Sequence, residues 1–177
     1  MDTTKSHIKI YNFPPDAAED FEFDYDVQGA KEGYSDILTE LVPQLPHWGE
    51  IGWMEIEDYE YNPHGHTLHF TLNTKWEAPL RWLQQASSDT TYFENKLITM
   101  ATIQKDETVV SGVAIMDGEV LQNKVLWDAS SEEISKYYND DEEDYDLDTL
   151  DNQMWDAIGK FVNVCEQFYL ERDYKND

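Results

Sequence analysis

The sequence predicts an α+β domain: an antiparallel sheet with helices packed on one face, followed by a long C-terminal helix. Three observations predict it. Residues 66–73 alternate strictly, with His66, Leu68, Phe70 and Leu72 on one side and Thr67, His69, Thr71 and Asn73 on the other, the period of a strand with one buried face. Asp117-Gly118, between two apolar runs, is a two-residue hairpin turn whose central positions both favour positive φ. Leu147, Leu150, Met154, Ile158, Phe161, Cys165 and Phe168 then recur at intervals of three and four, widened by Trp155, Val162 and Tyr169, which is helical spacing.

The other elements follow in order. Residues 6–13 read as a first strand, stopped by Pro14-Pro15. Residues 16–26 form an acidic arm in which Phe21, Phe23 and Tyr25 alternate with Glu22 and Asp24, as in an extended segment. Ser35 is a plausible cap for a short helix carrying Ile37, Leu38, Leu41 and Val42, ended by Pro43 and Pro46. A strand is expected at 53–61, with a turn at 62–65. Pro79 opens a helix that turns Leu80, Leu83 and Ala86 inward. Strands follow at 97–104 and 108–116, and the strand after the hairpin runs to about Trp127. A short helix is expected at 130–138, and Asp148 is the expected cap of the last helix. There is no internal repeat and no Gly/Ser linker, so residues 1–177 read as a single domain.

This order of elements, strand, helix, two strands, helix, three strands, suggests a ferredoxin-like sandwich with extensions. Within it, His47-Trp48-Gly49-Glu50-Ile51-Gly52-Trp53 precedes the second strand, and Asn73-Thr74-Lys75-Trp76-Glu77-Ala78-Pro79 forms an elbow into a helix. With Gly112 and Asp117-Gly118, these segments resemble the YubB-type ferredoxin-like domain of plasmid- and phage-encoded proteins. The likeness covers residues 34–127. Members usually carry a basic or small residue where this chain has Glu50 and Ile51. The arm at 16–26 and the acidic loop and helix of 128–177 have no counterpart. The resemblance implies a fold and a mobile-element origin, and it implies no activity.

Composition narrows the function. The 177 residues carry 38 acidic and 12 basic side chains, a formal charge of −26. Direct nucleic-acid binding is disfavoured, because it relies on a basic surface that releases counterions. Only Arg81 and Arg172 could serve as guanidinium clamps. The single cysteine excludes an internal disulfide, no apolar run is long enough to span a bilayer, and the N-terminus lacks a secretory signal. A bacterial cytoplasmic location is expected.

Catalysis finds no motif: no G-x-S-x-G, no phosphate-binding glycine loop, and Cys165 sits on the apolar stripe of a helix. A non-enzymatic protein without cofactor is expected. His64 and His66 could face one metal with Asp58 or Glu60, but a turn histidine and a sheet-edge histidine are the simpler reading. Asp144, Asp146 and Asp148 mimic the start of a calcium loop, yet Thr149 and Trp155 occupy the positions that need Gly and Glu. No metal site is expected.

The charge itself remains. A chain of this size folds to a diameter of about 40 Å, and duplex DNA of that length carries roughly 24 phosphates. An acidic accessory protein of a phage or plasmid could therefore imitate DNA and occupy a basic nucleic-acid-binding host protein, such as a defence factor. The expected contact residues are Glu19, Asp20, Glu22, Asp24 and Asp26 of the arm, with Phe23 and Tyr25 as apolar anchors. Asp140, Asp141, Glu142, Glu143, Asp144 and Asp146 of the tail complete the set. Other expectations are a structural module, homodimeric through the C-terminal helix, or a small-ligand binder using Trp48 and Trp76, with the acids serving solubility alone.

Overall fold

A computed structural model of the chain describes residues 4–18, 54–74, 78–89, 93–104, 109–128, 138–139, 144–145 and 147–170. The strands are β1 (Thr4–Ile10), β2 (Met54–Asn62), β3 (Thr67–Thr74), β4 (Ile98–Gln104), β5 (Val109–Met116) and β6 (Glu119–Asp128). Helix α1 (Leu80–Asp89) joins β3 to β4, and α2 (Leu147–Cys165) runs on into a π-helical turn, Glu166–Leu170. The six strands form one antiparallel sheet in the order β2-β3-β1-β4-β5-β6. Since β3 and β4 both pair antiparallel with β1, they run parallel to each other, and α1 makes the crossover that such a connection requires. The expected α+β class and antiparallel sheet are observed.

Alternation assigns each strand residue to a face. Ile8, Ile10, Leu68, Phe70, Leu72, Ile98, Met100, Val113 and Ile115 are buried on one side with Trp82, Leu83 and Ala86 of α1. On the opposite side, Ala101, Val110 and Ala114 are buried with Ile158, Phe161 and Cys165 of α2. The sheet is thus covered on both faces: α1 packs on one and the long helix on the other. Each buried Ile, Leu, Val, Met or Phe among these contributes about 1.5–3 kcal/mol relative to exposure, so α2 is held by its own sheet.

Gly112 explains how closely the helix approaches. A methyl group on its Cα would lie 2.9 Å from Leu126 Cδ1 and from Phe161 Cδ1 and Cε1. The Phe161 ring therefore rests on bare backbone. The far end of α2 is tied to β1 by Glu166, whose Oε1 accepts from Lys9 Nζ at 2.9 Å and from Tyr11 Oη at 2.7 Å. Burial, then the bond to Glu166, pushes the Tyr11 hydroxyl above its ordinary range. Burial likewise pushes the Cys165 thiol up to about 11, against the lowering influence of Lys124.

Several boundaries differ from expectation. β1 ends at Ile10, because Asn12 takes positive φ (55°) and turns the chain. β3 begins at Thr67, because His66 also takes positive φ (50°), belongs to the turn and is exposed rather than on the buried side. Thr71, on the face expected to be open, is buried. The hairpin is as read: Asp117 and Gly118 have φ of 49° and 81°, the signs a type I′ turn needs. Tyr138 lies in a strand, not at the end of a helix: β7 (Tyr138–Asn139) pairs with β8 (Asp144–Tyr145). Helix α2 starts at Leu147, which places Asp148 in its first turn instead of at the cap. The expected helix near Ser35, the elbows with Trp48, Trp53 and Trp76, and residues 130–137 lie outside the described residues.

Candidate functional site

Glu19, Asp20, Glu22, Phe23, Asp24, Tyr25, Asp26, Asp140, Asp141, Glu142, Glu143 and Asp146 lie outside the described residues. Asp144 is placed in β8, where it pairs with Asn139. The described residues include 15 of the 38 acids and 6 of the 12 bases, a net −9, which leaves −17 for the other stretches.

Within the described residues, the sheet face bearing α2 divides into two halves. Opposed residues of an antiparallel sheet point the same way, so one cross-strand row reads Asp58, Thr71, His7, Ala101, Gly112, Lys124. The next reads Glu60, His69, Lys9, Thr99, Ala114, Gln122. The β4-β5 part is small and apolar, and α2 lies on it. The β2-β3-β1 part is polar and ends in two exposed carboxylates, Asp58 and Glu60.

The join between the halves is aromatic. The imidazoles of His7 and His69 stack at 6.1 Å with an interplanar angle of 9°. The Trp155 indole of α2 meets His7 edge-on at 4.7 Å, and Thr71 Oγ1 lies 3.2 Å from His7 Nδ1. Burial holds His69 below the ordinary imidazole pKa, against the opposing pull of Asp58 and Glu60. Trp155 is 48% exposed, although the helical spacing placed it on the buried stripe. The groove between β6 and α2, about 530 Å³, is different in kind: Lys124 and Lys160 border it beside the single carboxylate Asp156. Lys160 pairs with Asp156 at 2.7 Å, and Lys124 sits over the Phe161 ring. Nothing there complements a basic partner.

Two sequence readings are corrected. Asp58 and Glu60 stand opposite Thr71 and His69, not beside His64 and His66, which belong to the turn and are exposed. Trp155 faces solvent. Among the described residues no group of three His, Cys, Asp or Glu side chains is placed to hold a metal. Cys165 is buried, as its place on the stripe indicated. Leu150, Ile158, Phe161 and Cys165 are used inside the subunit; the large apolar side chains that α2 and its π-helical turn leave exposed are Trp155, Val164 and Phe168, of which Trp155 and Val164 lie on opposite sides of the helix. Among the described residues no helix is long and apolar enough to cross a membrane. No protein family, curated protein or solved structure matches the chain.

Proposed function

We propose that the protein is a non-enzymatic, DNA-mimicking inhibitor, carried by a phage or plasmid and acting in the bacterial cytoplasm on a basic nucleic-acid-binding host protein, such as a defence factor. The observation that carries this reading is the net charge of −26, in which five acids, Asp140 to Asp144, follow one another in the sequence. Keeping like charges together costs self-repulsion, whereas an even spread would serve solubility equally well. The order β2-β3-β1-β4, with α1 crossing from β3 to β4, supports a ferredoxin-like core extended by β5 and β6. It suits a YubB-type domain used as a rigid carrier for acidic segments.

The test is the salt dependence of binding to a basic protein captured from host lysate. Affinity should fall linearly in log–log form with salt. Changing Asp140, Asp141, Glu142, Glu143, Asp144 and Asp146 to Asn and Gln should lower the slope by about one per carboxylate engaged. A tight complex indifferent to salt discards the proposal.

A further inference from the structure

We propose that the π-helical turn Glu166–Leu170 is a two-register switch latched by Glu166. With its carboxylate clasped by Lys9 and Tyr11, the end of α2 buries Leu170 and presents Phe168. Releasing the clasp lets the α-helix run on, and the two side chains change places. The inference is independent of the charge reading. It starts from a mismatch between spacing and exposure. The stripe of α2 continues from Cys165 to Phe168 at a helical interval of three, yet Phe168 is 46% exposed. Tyr169 and Leu170 instead pack against the buried cluster of Tyr11, Leu97, Ala114, Phe161 and Cys165.

A π-turn accounts for this. Its hydrogen bonds join residues five apart instead of four, so the turn takes in one extra residue. Each residue after it then points where its predecessor would point in an uninterrupted α-helix. Counted from Cys165, the third and fourth residues, Phe168 and Tyr169, face the sheet in the α register. In the π register the fourth and fifth do, Tyr169 and Leu170, and these are the residues found inside. Tyr169 is inward in both, so the two registers differ by exchanging Leu170 for Phe168.

That exchange is nearly balanced, because leucine and phenylalanine side chains gain similar amounts on leaving water. Burial therefore does not select the register, and the clasp does. Glu166 Oε1 accepts from Lys9 Nζ at 2.9 Å and from Tyr11 Oη at 2.7 Å, and hydrogen bonds to a carboxylate are stronger than neutral ones. Tyr11 is 3% exposed, so a hydroxyl proton that lost this acceptor would be left inside the protein at a cost. Consecutive residues of an α-helix point about 100° apart, yet Cys165 and Glu166 are both anchored on the sheet side. The widened turn begins where those two anchors meet.

The experiment records NOEs in the full chain from the Phe168 ring and the Leu170 methyls to Tyr11 and Leu97. The wild-type protein should show the Leu170 set, and dominance of the Phe168 set would overturn the π register outright. In Glu166→Ala the ratio of the Phe168 set to the Leu170 set should rise about tenfold or more, the effect of losing hydrogen bonds to a charged group. Glu166→Gln keeps the size without the charge and should move the ratio in the same direction by less. It decides the matter if Glu166→Ala does not fold. Asp156→Asn, which removes the exposed pair with Lys160 one helical stretch away, should leave the ratio unchanged. Leu170 contacts that persist unaltered in the folded Glu166 variants, or an equal response to Asp156→Asn, overturns the latch.

Discussion

Replacing Gly112 by alanine probes how the long helix is held. The added methyl carbon would meet three side-chain atoms at 2.9 Å, where carbon–carbon contacts prefer about 3.5–4.0 Å. The Phe161 ring has little room to retreat: it is 3% exposed and Lys124 Nζ lies 5.5 Å from its centroid. Overpacking of this kind costs about 1–3 kcal/mol. Alanine itself returns about 0.5–1 kcal/mol, because glycine loses more backbone freedom in a strand. A net loss of about 1–2 kcal/mol is expected, read as a lower urea midpoint at constant slope. Trimming the ring should relieve the clash, so Gly112→Ala with Phe161→Leu should lose less than the sum of the single changes, with a coupling of about 1 kcal/mol. A neutral or stabilising Gly112→Ala, or strict additivity, would show that the helix does not rest on this backbone.

Other outcomes follow from the same structure. Gly118→Ala should lose about 1–2 kcal/mol in a thermal melt, because φ is +81° and the new carbon would lie 3.2 Å from Ser88 Cβ; an unchanged melting temperature refutes it. The lowered His69 pKa means that the unfolded chain takes up the proton first. Its contribution is complete above the ordinary value of 6.5 and is lost as pH falls from there through the folded-state pKa. Other carboxylates titrate as well, so the observable is a difference: between pH 7 and 5 the native chain should lose stability relative to His69→Gln, and parallel curves would contradict this. Cys165, buried with its thiol pushed up to about 11, should resist iodoacetamide at pH 8 in the folded protein and react fully in denaturant. Rapid labelling of the folded chain would place it at the surface.

What was legible in the sequence was what is local. The α2 stripe, the alternation of β3 and the Asp117-Gly118 turn each depend on residues within a few positions of one another. The turn is found as read, and the other two are found except at Trp155 and Phe168, which are exposed, at His66, which leaves the strand, and at Thr71, which is buried. Pairing of β1 with both β3 and β4 joins residues about 60 and 90 positions apart, and no short pattern encodes it. A single residue decided the histidines. Once His66 takes positive φ the strand starts one position later, and His69, not His66, faces Asp58 and Glu60. Trp155 escaped for a related reason: it is one residue beyond Met154, about 100° around the helix, at the margin where the stripe leaves the apolar part of the sheet. Its exposure depends on where α2 sits over β1, which only the tertiary structure defines. The acids were plain in the composition, but the pairing of Tyr138 and Asn139 with Tyr145 and Asp144 was not.

The most direct measurement of DNA mimicry is competition. The captured partner is loaded with a fluorescent duplex of about 12 base pairs, matching the 40 Å span, and the acidic protein is added at several salt concentrations. Full displacement of the duplex, with an inhibition constant that rises as steeply with salt as the duplex's own dissociation constant, is the result expected of a surface that imitates phosphates. A ternary complex that keeps the duplex bound would contradict it.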